Sequence, residues 1–290
     1  MKLLVKFNVI FVLVMALGVA VSGFITRGML RQQARDEVLS GGRMLIEQAL
    51  AVRAYTSGEI TKLLAEQNKE KFLPQSIPSY SANTVLDLVR AKHPEYGYKE
   101  ATLNPTNPRD RASGWEVDIV NAFRGNAELK EFVGVRDTPT GPSLYVSRPL
   151  RITNPACLQC HSSVEAAPKT MVDKYGSANG FGWQLNEVIG AQIVSVPMAL
   201  PLQRADDAFK FFVAALIGVF LVVGVVLNLM IWLFVVRPVT QLSELADRVS
   251  QGDLAAPEFN VGGRDEIGVL ADSFTRMRTS VTQAMKMLEN

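Results

Sequence analysis

Cysteine and histidine are almost absent from this chain: its 290 residues hold two of each, beside three tryptophans and a net charge of only +2. Each shortage removes a class of protein. Two cysteines and two distant histidines fall short of the four ligands that a structural zinc site takes. A near-neutral charge without a basic stripe interleaved with aromatics gives nucleic-acid binding no support. No grouping of nucleophile, base and orienting carboxylate is visible, so the chain is not expected to be an enzyme.

What cysteine there is lies in one place. Both cysteines and one histidine fall within Cys157-Leu158-Gln159-Cys160-His161, the attachment signature of a c-type haem. Thiols three positions apart lie about one helical turn apart on one face, so both reach the vinyl groups of neighbouring pyrroles. His161 is then turned towards the iron as its proximal ligand. The cofactor implied is one covalent haem c. A Cys-x-x-Cys pair also serves as a redox disulfide, but the βαβ setting of that chemistry is not visible around residue 157. With both sulfurs on haem, no disulfide remains to brace the fold, and no third cysteine is left for the iron. The sixth ligand stays open among His93, Met171, Met44, and water or an empty position. Arg109, Arg111, Arg148 and Arg151 are candidate partners for the propionates.

Apolar residues make up 48% of the chain, and the excess sits in two runs. Residues 8–25 are flanked by Lys2 and Lys6 before and by Arg27 and Arg31 after. The run is long for a signal core and reads as an uncleaved anchor, although Ala20-Val21-Ser22 resembles a cleavage site. Residues 211–236 carry Asn228 as their one strongly polar side chain, and Trp232 and Arg237 suit a membrane interface. Charge alone leaves the orientation nearly balanced. Haem is attached to such motifs outside the cytoplasm, which decides it. The expected layout is an N-terminal transmembrane helix at 1–26, an extracytoplasmic haem domain at 27–210, a second span at 211–236 and a cytoplasmic tail at 237–290. Both termini are then cytoplasmic, in a protein of the bacterial inner membrane.

Within the outer segment, Leu45, Ala49, Val52, Ile60, Leu63 and Leu64 recur at helical spacing and predict a helix over 28–67, interrupted at Gly41-Gly42 and Ser57-Gly58. Further helices are expected at 82–92, capped by Ser81 or Asn83 and stopped before Pro94, and at 115–124 and 164–175. Strands are expected from residue 95, through Tyr96, Tyr98 and Ala101, and at 189–196. A hairpin is expected between 129–136 and 143–152, joined through Thr138-Pro139-Thr140-Gly141-Pro142. About four antiparallel strands with helices around them make an α+β fold.

Several short stretches, Ala51-Val52-Arg53-Ala54-Tyr55-Thr56, Asn104-Pro105-Thr106-Asn107-Pro108, Trp115-Glu116, Cys157 to His161, and Gly180-Phe181-Gly182-Trp183, together carry a likeness. They resemble the membrane-bound haem sensors whose extracytoplasmic domain is PAS-like and bears one c-type haem. The resemblance implies haem against one face of a PAS-like sheet, with the long amino-terminal helix nearby.

In the tail, Val239, Leu242, Ala246 and Val249 are spaced three and four apart, and Gly252-Asp253-Leu254 ends that helix. A connector with Phe259 and Val261 follows. Ile267, Leu270, Phe274, Met277, Val281, Ala284 and Leu288 then keep a heptad register. Two such helices cannot bury their seams alone, so pairing with a second copy as a parallel four-helix bundle is expected. The arrangement resembles the HAMP linker of receptors and sensor kinases, Pro238 matching its helix-one proline and Glu266 the acid that opens helix two. The reading is a transmembrane sensor that detects redox state or a diatomic gas and signals to a separate cytoplasmic kinase, cyclase or other output protein. The alternative is a membrane-anchored monohaem cytochrome that transfers electrons.

Overall fold

Helix α1 (Leu3–Tyr55) opens the chain, and the computed structural model describes residues 3–139, 141–253, 257 and 265–288. The chain divides into two compact units, 27–208 and the remainder.

In the first of these, α1 lies along one face of a four-stranded sheet. It then passes through a π turn (Thr56–Ile60), α2 (Thr61–Leu63) and α3 (Ala65–Glu70). Helix α4 (Pro78–Arg90) leads to β1 (Gly97–Thr102), and α5 (Trp115–Gly125) to β2 (Phe132–Thr138) and β3 (Gly141–Arg151). Two short helices follow, α6 (Leu158–His161) and α7 (Lys169–Tyr175), and then β4 (Val188–Pro197). The strand order is β1-β4-β3-β2, every pair antiparallel.

Alternation along the strands divides the core in two. Val146, Val194 and Val196 meet Val38 and Ile46 of α1, while Ala101, Ala191 and Ile193 meet Ile119, Val120 and Phe123 of α5. The last strand in sequence, β4, is thus central and covered on both sides, which is why it reads as an unbroken apolar run. Gly41-Gly42 does not interrupt α1. A Cβ on Gly42 would sit 3.1 Å from Val146 and 3.4 Å from Val196, so the glycine lets helix and sheet approach closely. At Ser57-Gly58 the helix does change, to the π turn. There Thr56 Oγ1 donates to the Val52 carbonyl, and Thr61 Oγ1 to the carbonyls of Thr56 and Ser76.

Several boundaries differ from the sequence reading, among them the start of β1, at Gly97 rather than residue 95, and three have a direct local cause. Helix α4 begins at Pro78, whose fixed φ suits a first helical turn, rather than behind Ser81 or Asn83. Strand β2 begins at Phe132 because Asn126 to Leu129 form a turn first, with Leu129 N–H bonded to Asn126 O at 3.2 Å. Helix α7 begins only after Pro168, which stands at its N-cap.

The other unit holds two helices long and apolar enough to cross a membrane, with mean hydropathy of 2.6 and 2.9 in their most apolar stretches. These are the start of α1 and most of α8 (Ala199–Ile231). Asn8 and Asn228 exchange two hydrogen bonds, at 2.7 and 2.8 Å. Beside them Phe11 packs on Gly224, where a Cβ would lie 3.0 Å from the ring. A second π turn (Trp232–Val236) joins α8 to α9 (Arg237–Ser250), in whose first turn Pro238 sits. Helix α9 ends on Gly252 at φ +95°, with Asp253 N–H bonded to Arg248 O and Gly252 N–H to Val249 O. Helix α10 (Glu266–Leu288) opens on Glu266, and Asp265 Oδ1 accepts from Gly268 N at 2.9 Å. Leu242 and Ala271 are buried. Leu270, Met277 and Val281 of the heptad register are exposed in the single chain. Leu254, Phe259, Val261 and Thr140 lie outside the described residues.

Candidate haem site

Where β3 ends, the chain is pinned to the loop before β4: Ile152 N–H donates to Glu187 O, and Asn186 N–H to Ile152 O. Asn154 then caps the turn Pro155–Cys157 by accepting from Ala156 N at 2.9 Å. That turn runs directly into α6, so one rigid stretch carries Cys157, Cys160 and His161. Both cysteines are free thiols and half-buried. Burial, with Cys157 beside it, pushes the Cys160 thiol above its usual value.

His161 is held on several sides. Its Nδ1 lies 2.7 Å from Gly180 O, an acceptor only, so Nδ1 carries the proton and Nε2 keeps the lone pair a metal takes. Thr106 Oγ1 is 3.4 Å from the same nitrogen. The indole of Trp183 stacks on the imidazole at 3.9 Å and 16°. Burial lowers the imidazole's pKa, the Gly180 carbonyl opposing it, which favours the neutral ring that ligation requires.

The clamp is built by two loops. Asn104 Oδ1 accepts from Gly180 N at 3.1 Å, and Asn104 Nδ2 donates to Phe181 O at 3.2 Å. Gly182 N–H donates to Ser162 O, and Trp183 N–H to His161 O. Gly180 has φ +86°, and a Cβ there would fall 2.0 Å from Thr106 Oγ1. No other residue fits that position without moving the loop. The stretches around Asn104 and Gly180, distant in sequence, therefore meet at one imidazole.

On the α1 side of the sheet lies a buried polar chain that the sequence reading missed. Arg53 of α1 pairs with Glu100 of β1, which is 2% exposed. Tyr98 Oη donates to Glu100 Oε1 at 2.7 Å, and Gln192 Nε2 donates to Tyr98 Oη at 3.0 Å. Burial first, then Glu100, holds the Tyr98 hydroxyl far above a usual phenol, so it stays a donor. Nearby, Asp110 is pushed up to about 6 by burial against the pull of Arg109.

The other candidates are spread widely. Met171 is buried at 3% exposure in α7, Met44 is 61% exposed on α1, and His93 is an exposed side chain edge-on to Tyr96 and 3.8 Å from Glu95. No hydrogen bond, ion pair or ring contact joins any of the three to His161. Arg111 donates to Asn179, next to Gly180, at 3.0 Å, and Arg109 lies over the Tyr80 ring at 5.1 Å. Arg148 is engaged by Glu47 and Glu131, and Arg151 by the carbonyls of Asn186 and Ala127. Two free thiols one turn apart and a neutral imidazole with Nε2 available form a donor set that fits a c-type haem.

Fold and motif thus define a class: an α+β module carried between two membrane-length helices, with a helical tail beyond the second. Residues 31–197 match the Tll0287-like family and residues 230–283 the HAMP domain. The chain belongs to the Tll0287-like family, and its family domain is followed by a HAMP domain. Two relatives, each called heme sensor protein HssS and from two strains of Staphylococcus epidermidis, are 29% and 30% identical over 112 residues. That stretch is 39% of this chain and 24% of each relative, so the chain spans about a quarter of their length. A solved structure described as that of the cyanobacterial heme-protein Tll0287 aligns with a TM-score of 0.44 and 20% identity, covering 56% of this chain and 95% of its own.

Proposed function

We propose that this protein is a transmembrane sensor that carries one covalent haem c on Cys157 and Cys160, with His161 as proximal iron ligand. The observation that carries this reading is the state of His161: a half-buried, stacked imidazole whose Nδ1 proton is committed to Gly180 O, leaving Nε2 for iron. Attachment would add the S–H of Cys157 and of Cys160 each across one vinyl group, sulfur to one carbon and hydrogen to the other, with no oxidant consumed. Once bound, the haem supplies one-electron exchange or diatomic-gas binding at iron.

The chain's own residues do the rest. Thr106, Gly180 and Trp183 orient the ligand, and Arg111, bonded to Asn179 beside Gly180, is the propionate partner on that side. The sixth position is taken by His93, Met171 or Met44, or left to water or a gas. The domain limits follow the same reading: a span at 1–26, an extracytoplasmic PAS-like haem domain at 27–210, a span at 211–236 and a HAMP bundle at 237–290, both termini cytoplasmic in a bacterial inner membrane. Pro238 and Glu266 act at the helix junctions of a HAMP dimer whose packing a separate kinase, cyclase or other output protein reads. The relatives called heme sensors support the assignment, and an electron carrier has no need of a HAMP bundle.

Absorption spectra of the purified full chain, oxidised, reduced and reduced with carbon monoxide or nitric oxide, test this. Haem that stays with the denatured chain is the expected result. A gas-induced change assigns gas binding, its absence leaves redox sensing, and a colourless chain overturns the proposal.

A further inference from the structure

Gly180, whose carbonyl takes the His161 proton, belongs to the loop between α7 and β4. Gly176, Gly180 and Gly182 in that loop all stand at positive φ, so the backbone by itself fixes the carbonyl weakly. The hold comes from outside. Asn104 takes the Gly180 amide, and Arg111 Nη2 donates to Asn179 Oδ1, one residue away, at 3.0 Å.

Arg111 is itself tied to the sheet. Ala112 N–H donates to Thr102 O at 2.9 Å, and Thr102 and Arg111 form a bridge, so this segment runs beside the end of β1. Lys99 of β1 then makes two bonds, from Nζ to Arg111 O at 2.8 Å and to Glu116 Oε2 at 2.7 Å. Glu116, on α5, is 8% exposed, and its Oε2 also accepts from Ser113 N and Oγ. The ammonium is thus anchored, because leaving would strip a buried carboxylate of its cation. An unbroken run of bonds leads from α5 through Lys99, Arg111 and Asn179 to the residue before Gly180.

We infer that Lys99, anchored on Glu116, is a positioning residue for His161, acting through Arg111 and Asn179 on the Gly180 carbonyl. The inference deepens the covalent-haem reading and rests on it for its effect at iron. An acceptor held in place draws on the Nδ1 proton, makes the imidazole a more electron-rich ligand and favours oxidised iron. Loosening that acceptor favours uptake of one electron from a reductant, with no bond in the chain formed or broken. Loss of a cation acts in the opposite direction, so the two effects differ in sign. Arg111 carries several N–H donors, and its bond to Asn179 is compatible with one to a propionate.

The test is a potentiometric titration of the full chain in lipid nanodiscs, followed by haem absorbance, with haem content measured in each sample. Lys99→Met is expected to move the reduction constant about threefold towards the reduced form, a part of the worth of one hydrogen bond. Asn179→Ala, which changes no charge, should move it the same way. The double variant should go no further than Lys99→Met alone, because both substitutions cut one chain. A shift of Lys99→Met towards the oxidised form is the mark of a lost cation alone. That result, additive shifts, or no shift in haem-loaded variants overturns the role of Lys99 and leaves the haem reading standing. A wild type without haem overturns the haem reading instead. The positioning role is then decided by nitrogen NMR of the haem-free chain, whose two histidines are assigned with a His93→Gln control. The Nδ1-protonated form of His161 should lose population in both variants, and an unchanged form overturns the role. If Lys99→Met does not fold, Asn179→Ala, at an exposed loop position, still decides by its shift.

Discussion

Gly180 is the residue whose loss is most informative, because it meets two demands: a positive φ and a contact that tolerates no Cβ. Gly180→Ala should displace the loop from Thr106, remove the acceptor from His161 and cost roughly 1–3 kcal/mol. A lowered melting temperature together with an altered spectrum of the bound haem is the expected outcome, and an unchanged spectrum would deny the clamp its role. Asp110 makes a prediction in pH. Its pKa in the fold, about 6, lies above the 3.8 of a free aspartate. Its contribution to stability is therefore full below the unfolded value and lost as pH rises through about 6. Denaturation midpoints should show the wild type losing ground to Asp110→Asn between pH 4 and pH 7. A difference constant across that range would contradict the assignment. At this scale the sequence displayed the spacing of Cys157, Cys160 and His161, and the structure puts them on one turn and short helix with His161 against Gly180 and Trp183. The sequence was silent on Arg53 and Glu100, because their pairing depends on α1 lying across β1, which no local pattern states. A charged residue between Tyr98 and Thr102 on an inward strand position was the available signal.

Among the elements, α1 and the sheet depend on each other most directly. Ile46 is fully buried against Val146 and Val194, so Ile46→Ala should destabilise the unit by about 2–5 kcal/mol, read by chemical denaturation. A loss below 1 kcal/mol would mean that α1 is not seated there. In the membrane-length pair, the reciprocal Asn8–Asn228 bonds join α1 to α8. Replacing Asn228 by Leu should weaken their association by about 0.6–2 kcal/mol. The measurement is disulfide cross-linking between cysteines placed at Phe11 and Gly224, which pack together, and undiminished yield in the variant would count against the pairing. The sequence showed the two runs but not their partner bonds, since Asn8 and Asn228 are each only an isolated polar residue. It placed β3, β4 and α5 well because period and turn residues agree there. It misjudged the start of β2, where a turn comes first, and the starts of α4 and α7, where Pro78 and Pro168 set the ends.

For the whole molecule, a Tll0287-like domain is followed by a HAMP domain, and in the proposed reading the first bears the haem and the second forms a bundle with a second copy. Exposure of Leu270, Met277 and Val281 in the single chain leaves an apolar seam for a second copy. Cysteine at Met277 should therefore give disulfide-linked dimers in membranes, and monomers alone would remove the bundle from the account. The most direct test of the central claim is the intact mass of the denatured, full-length chain made in a host able to attach haem c. A chain heavier by one haem, with the added mass mapped to the peptide carrying Cys157 and Cys160, is the predicted result. A chain of unmodified mass, with both thiols still open to alkylation, would contradict it.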